Sequence, residues 1–406
     1  MKQITGWIKT HKRLTILLAI MVFLWAVMFY MFLTQTKQPV DGKLQFDQNT
    51  PTNSAAVKPQ PTEPNLQITE VLTGLSRPWD VVFLPDTTLL FNERSGSVSK
   101  IVAGEKVIIA RIPDVYAVGE GGLTGLALDA DFVKNRYLYT CMNSQSADRI
   151  DVRLIRWRLN EAATSLGERK DIVTNIPSNR SGRHSGCRVR SASDGTLWVG
   201  TGDAAIASNP QNPQSLGGKI LHVNREGEAV SGNMSPPFDP RIFSYGHRNV
   251  QGIVLFDRPE GDVYGYSVEH GSDRDDEINI LQKGNFGWAP RVTYVEAGIP
   301  MTDLSRFPDA VSAVWSSGFP TIAPSGATQL KGERWGSWEN AVAMAVLKGK
   351  HVRIMNFDSS HKLLSEKTIL TQFGRIRSTA LAPDGSMYLT TDNGNNDKII
   401  QIIPTQ

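Results

Sequence analysis

Six times along this chain a polar turn leads into a β-rich apolar strand, at Asp86, Asn135, Asp194, Glu260, Glu339 and Asp384. Stretches such as "WDVVFLPDTTLLFNERSGSVSKI" and "TALAPDGSMYLTTDNGNNDKIIQII" show the unit: an apolar strand, a turn with Asp or Asn, and a second strand. The intervals run from 45 to 79 residues, as a four-stranded blade with variable loops requires. The reading is an all-β fold, a six-bladed β-propeller. The last strand, KIIQII, is expected to pair in the same blade as the first, QITEVL, and close the ring. A large β-sandwich, the main competing fold, leaves the repeated unit without a reason. A propeller gathers loops at one end of its axis, so residues remote in sequence meet there.

Ahead of the repeats lies a different kind of chain. Residues Leu14 to Leu33 form a run of twenty without a charge. As a helix it spans about 30 Å, the hydrocarbon thickness of a bilayer. The run is longer than a signal-peptide core and lacks a small-residue cleavage pattern, which favours an uncleaved anchor. Lys2, Lys9, Lys12 and Arg13 precede it, so the N-terminus is expected in the cytoplasm. The expected location is the inner membrane, single-pass, with the body in the periplasm or outside the cell.

Residues 34–65 are rich in Thr, Gln, Asn and Pro and read as a disordered linker. The expected organisation is therefore a cytoplasmic basic segment over 1–13, a transmembrane anchor over 14–33, the linker over 34–65 and the propeller over 66–406. Setting the four leading cations aside leaves 39 basic and 40 acidic residues, so no nucleic-acid footprint is expected. Two cysteines, Cys141 and Cys187, allow a disulfide in an exported body or two separate buried thiols.

Several stretches carry residues with chemical potential. "GRHSGCRVR" followed by "GTGD" places His184 and Asp203 at the same end of a hairpin. Asp203 then accepts from one imidazole nitrogen and leaves the other as a base. The plainer alternative is a loop histidine and a turn aspartate. Arg248 and Asn249 lie in "YGHRNVQG", Lys348 and Lys350 in "AVLKGKHVRI", and Arg375 and Arg377 in "QFGRIRST". Each cation alone suits a solvated surface. Converging at the axis, they suit a ligand with several carboxylates or phosphates. "EHGSDRDDEINIL" carries Asp273, Asp275, Asp276 and Glu277, hard oxygen donors suited to calcium or simply to water.

The sequence resembles the PQQ-dependent soluble aldose dehydrogenases, the glucose/sorbosone dehydrogenase family of six-bladed propellers. The resemblance rests on "RPWDVVFLPD", "GEGGLTGLALDADF", "RHSGCRV…SDGTLWVGTGD", "LGGKILHVNREG", "YGHRNVQGIVLF", "EHGSDRDDEINILQKGNFGW" and "GRIRSTALAPDG". It implies His184 as the catalytic base and Asp203 as its orienting carboxylate. It further implies Arg248 and Asn249 at the quinone, Lys348, Arg375 and Arg377 on the cofactor's carboxylates, and Glu120 near substrate and cofactor. The carbonyls of Gly271 and Ser272 match those that bind the cofactor's calcium, and Asp276 and Glu277 match a nearby structural calcium site.

The implied activity is PQQ- and Ca2+-dependent oxidation of an aldose at its C1 hydroxyl to a lactone, by hydride transfer to PQQ. Electrons would pass to a membrane quinone or a redox protein. The alternatives are a non-enzymatic ligand- or protein-binding propeller and a calcium-dependent lactonase. Three positions depart from the family pattern. Ser272 stands where Pro is usual, Glu120 adds a negative charge where Gln is frequent, and Cys187 replaces a common Gly. If Cys141 ends its strand at the same end of the propeller, a disulfide would staple two neighbouring blades. Substrate contacts are expected from 289–335, where the resemblance is weakest.

Overall fold

The computed structural model describes Met21, Phe23 and residues 25–29, 62–147, 149–260 and 263–405. Two compact units divide the chain at 59/60, inside the expected linker. The expected anchor over Leu14–Leu33 falls largely outside the described residues. Met21, Phe23 and residues 25–29 are helical, and no helix among the described residues is long and apolar enough to cross a membrane. Residues 1–13 and most of the expected linker also lie outside them.

The second unit contains six sheets, five with four strands and one with five; the pairing is antiparallel except between Ile242–Tyr245 and Gly284–Asn285, which run parallel. Their innermost strands are Pro78–Phe83, Leu123–Leu128, Gly186–Ser191, Val250–Glu260, Pro324–Gln329 and Ile376–Leu381. Each touches the next, and the last touches the first, so they form a closed ring about an axis. The sixth blade is completed by both ends of the propeller. Asn65–Leu75 pairs with Asp397–Thr405, from Asn65 opposite Thr405 to Leu75 opposite Asp397. The expected closure is observed, and the propeller begins one residue before Leu66.

All six turns read from the sequence fall between the innermost and second strands of their blades. The local chemistry explains why they were visible. Asp86, Asp194 and Asp384 each use Oδ1 to accept the backbone N–H two residues on, at 2.8–2.9 Å. Such an Asx-turn is encoded within three residues and needs no tertiary partner.

Packing is between blades. Six apolar clusters each join one blade to the next, and together they go round the ring. The junction of blades 2 and 3 includes Tyr139, Val152, Val189 and Leu221, all fully buried. Burial of such a side chain stabilises by about 1.5–3 kcal/mol. A covalent link crosses the same junction. Cys141, in the middle of Tyr137–Ser146 and not at its end, is bonded to Cys187 with a Cα–Cα distance of 5.4 Å. Of the two states open to the cysteines, the disulfide is the one formed.

Every innermost strand also carries a register irregularity in its first residues, at Pro78/Asp80, Leu123/Gly125, Gly186/Arg188, Val250/Gly252, Pro324/Ala327 and Ile376/Ser378. A bulge re-aims side chains where it occurs. Here six of them lie at one end of the axis, opposite the Asx-turns, and that end carries the site.

Candidate active site

His184 precedes the innermost strand of blade 3, and Asp203 follows the second strand of that blade. Both are buried, at 2% and 0% exposure. The backbones nest closely here: a Cβ on Gly202 would lie 1.9 Å from the His184 carbonyl oxygen. His184 itself has a left-handed φ of 52°. The result is a contact of 2.9 Å between His184 Nδ1 and Asp203 Oδ1.

The tautomer follows from the other ring nitrogen. Arg183 Nε lies 3.2 Å from His184 Nε2. A guanidinium N–H only donates, so Nε2 carries the lone pair and Nδ1 carries the proton. Asp203 therefore accepts from Nδ1–H, and the ring is held as a base with Nε2 free of a proton.

Asp203 has further donors. Ala205 N–H reaches Oδ1 at 2.8 Å, while Trp288 Nε1 and the Tyr294 hydroxyl reach Oδ2 at 2.9 and 2.5 Å. Trp288 and Tyr294 belong to the insertion between the third and fourth strands of blade 4. Glu296, two residues beyond Tyr294, lies between two cations. Its carboxylate pairs with Arg183 and, at 2.7 Å, with Arg248 Nε. Arg248 also donates to the His270 carbonyl at 3.1 Å and lies over the Trp288 ring at 5.7 Å.

Glu120 is not a bare charge. One oxygen, Oε2, accepts from the His184 N–H at 3.2 Å and from Asn249 Nδ2 at 3.0 Å. Asn249 Oδ1 in turn accepts the Gly186 N–H at 3.1 Å. Glu120 and Asn249 thus tie blades 2, 3 and 4 together beside the imidazole.

On the blade 6 side, Arg377 occupies the bulge of its strand and is buried. It pairs with Asp392 and lies 3.7 Å from the centroid of the Trp79 ring. Arg375 donates to the Asp392 carbonyl at 3.1 Å. Burial pushes the Arg94 guanidinium down, and the charges of Arg77 and Arg377 act in the same direction. Arg77, Arg94, Arg375 and Arg377 therefore form an electropositive patch around Asp392. Lys348 is exposed and donates to Thr321 Oγ1 at 3.2 Å. Its backbone N–H bonds to the Ile322 carbonyl, beside the 270–276 loop rather than beside Arg377.

That loop is held by Asp276. Its Oδ1 accepts the Gly271 N–H at 2.8 Å, and Oδ2 accepts those of Ile322 and Ala323 at 2.5 and 2.9 Å. Glu277 has different neighbours, Asn279 and Thr302, at 3.2 and 3.3 Å. Burial pushes Glu277 well above the usual carboxylate range, and the adjacent Glu269 adds to the effect. The two acids thus serve separate networks. Among the described residues no group of three or more His, Cys, Asp or Glu side chains is arranged to hold a metal. The Gly271 and Ser272 carbonyls remain the candidate hard donors.

Of the residues singled out in the sequence, His184, Asp203, Asn249 and Glu120 lie together in the structure, with Arg248 joined to them through Glu296 and Arg183. Arg183, Tyr294 and Glu296 complete the site without a signal of their own in the sequence. Trp288 stood in a quoted stretch without a role.

Comparison with known proteins adds a class to this geometry. The Glucose / Sorbosone dehydrogenase family matches residues 75–401. An uncharacterized protein of Synechocystis is 30% identical over 392 residues, covering 87% of this chain and 90% of that protein. The aldose sugar dehydrogenase YliI of Escherichia coli is 27% identical, covering 86% of this chain and 96% of its own. The solved PQQ-bound aldose sugar dehydrogenase of Streptomyces coelicolor superposes with a TM-score of 0.69 at 27% identity, over 84% of this chain and 100% of its own. Fold and site define an oxidoreductase built on a six-bladed propeller. The chain belongs to the glucose/sorbosone dehydrogenase family.

Proposed function

We propose that this protein oxidises an aldose at its C1 hydroxyl to the lactone, using PQQ and Ca2+. The observation that carries the reading is the buried His184–Asp203 pair, which leaves Nε2 with its lone pair facing Arg183. The chemistry of the residues suits the cofactor. Arg77, Arg94, Arg375 and Arg377 around the single carboxylate of Asp392 leave positive charge for a polycarboxylate. Lys348 would add to it from the blade 5 side. Glu120 already serves two N–H donors, which softens its repulsion of an anion.

PQQ, when bound, would supply a two-electron quinone acceptor, and calcium held by the Gly271 and Ser272 carbonyls would supply a Lewis acid. His184 Nε2 takes the hydroxyl proton. Asp203 holds the ring in the correct tautomer and stabilises the imidazolium that results. Arg248 and Asn249, linked to the His184 network through Glu296 and Glu120, would offer their remaining N–H groups to charge developing at the acceptor. Asp276 fixes the loop that presents the two carbonyls. A second, structural calcium is the role that the resemblance implies for Asp276 and Glu277, of which Asp276 already accepts three backbone N–H groups.

The apolar run Leu14–Leu33 supports a membrane anchor, with the propeller in the periplasm or outside the cell. Tethering would raise the effective concentration of a membrane quinone or redox-protein acceptor. The test is dye reduction by the purified full-length chain supplied with PQQ and Ca2+ and a panel of aldoses, with and without a chelator. Activity that needs both additions is expected. PQQ uptake without turnover points to a binding propeller, and lactone hydrolysis without PQQ points to a lactonase. Either result overturns the reading.

A further inference from the structure

We infer that Tyr294 is a positioning residue for the base, completing His184 and Asp203 into a three-membered network. The inference rests on the reading of His184 as the proton acceptor. Tyr294 arrives on a small turn closed by the bridge between Arg291 and Val295. Thr293 and Tyr294 both sit in the left-handed region, at φ of 68° and 60°. Neither is a glycine, so the turn holds a strained backbone in order to aim this side chain. The hydroxyl lies 2.5 Å from Asp203 Oδ2 and 2.8 Å from His184 Nδ1.

Proton bookkeeping assigns the direction of each bond. Nδ1 carries its own proton, so the phenol cannot donate to it. The Tyr294 proton goes to Asp203, and its oxygen shares the Nδ1–H with Asp203 Oδ1. Burial and the Asp203 charge push the phenol far above its usual range, so it stays protonated throughout turnover. The phenol therefore does two things. It braces the ring edge-on, with centroids 5.6 Å apart, and it draws charge from Asp203.

The other charged groups facing the imidazole are Arg183 at Nε2 and Glu120 at its backbone N–H. Glu296 and Arg248 stand behind Arg183 and Tyr294, and Lys219 acts on Asp203 from below. None of these donates a neutral hydroxyl to Asp203, which makes the Tyr294 effect separable.

The test is Tyr294→Phe in the full-length chain, read in two ways. Removing the donor concentrates charge on Asp203, which favours the imidazolium. Histidine-labelled NMR, with His184 assigned from His184→Gln, should show its titration moving to higher pH by half a unit or more. In the PQQ-loaded enzyme, kcat should fall about ten-fold with the sugar KM unchanged, and the acid limb of the pH profile should move the same way. Tyr294→Leu serves if the Phe variant fails to fold. An unmoved His184 titration overturns the inference even if the wild type never reduces dye. Wild-type inactivity with the shift present overturns the proposed function alone.

Discussion

Arg183 donates through Nε to Nε2 of His184, its neighbour in sequence, at 3.2 Å. The cation thus covers the nitrogen that a sugar hydroxyl must reach. Glu296 holds Arg183 there from the far side. In this arrangement substrate exchanges one hydrogen bond at Nε2 for another.

Arg183→Leu removes that exchange. A net hydrogen bond of about 1 kcal/mol corresponds to roughly a five-fold change in affinity. The KM for the sugar is expected to fall by about that factor, with kcat nearly unchanged. Steady-state kinetics on the loaded enzyme provides the check. A raised KM would instead assign Arg183 to holding the sugar.

His184→Ala should lower kcat by about 100- to 10,000-fold, the range general-base catalysis supplies. PQQ uptake, followed by absorbance, should persist because the Arg375 and Arg377 patch is untouched. Normal turnover in this variant would remove His184 from the mechanism.

The Cys141–Cys187 bond closes a sequence separation of 46 residues. Loop-closure entropy gives such a link about 2–4 kcal/mol. Thiol titration of the denatured protein should find no free thiol before reduction and two after it. Cys141→Ser with Cys187→Ser should lower Tm by several degrees. Equal melting curves would show that the staple adds nothing to the junction of blades 2 and 3.

His222 gives a pH dependence with a definite sign. Burial pushes its imidazole down to about 4, while an unfolded histidine titrates near 6.5. Between these values the unfolded chain binds the extra proton. The stabilisation is present above about 6.5 and is lost as pH falls through about 4. His222 stacks on Trp198 with centroids 3.9 Å apart, so His222→Phe keeps a ring in place. Melting curves from pH 7 to 4 should be flatter for the variant. Parallel curves would place the acid sensitivity elsewhere.

What was legible in the sequence was local. Asp86, Asp194 and Asp384 announce their turns within three residues, and with the polar turns at Asn135, Glu260 and Glu339 they were enough to count the blades. His184 and Asp203 were readable because one hairpin sets their spacing. Tyr294 was not, since its partner His184 lies 110 residues away and its own segment has no regular periodicity. Glu120 was legible only in part: its charge is visible in sequence, while the N–H groups of His184 and Asn249 that bond to it are not. Asp276 and Glu277 looked like a pair because they are adjacent, yet Asp276 ends a loop and accepts its backbone N–H groups, while Glu277 opens the strand Glu277–Ile280 and meets Asn279 and Thr302. The fold therefore resolves them into separate roles.

The pairing of Asn65 with Thr405 makes the order of blades along the chain a matter of where the ring happens to be cut. A short linker joining these two residues, with new ends opened at an Asx-turn such as Asp194–Thr196, would give a circular permutant with the same neighbours around the axis. Those turns lie at the opposite end from His184, so the cut would leave the catalytic face intact. Deleting Asn65–Leu75 would have the contrary effect, leaving Asp397–Thr405 as an open sheet edge and the sixth blade a ready acceptor for a strand from another molecule.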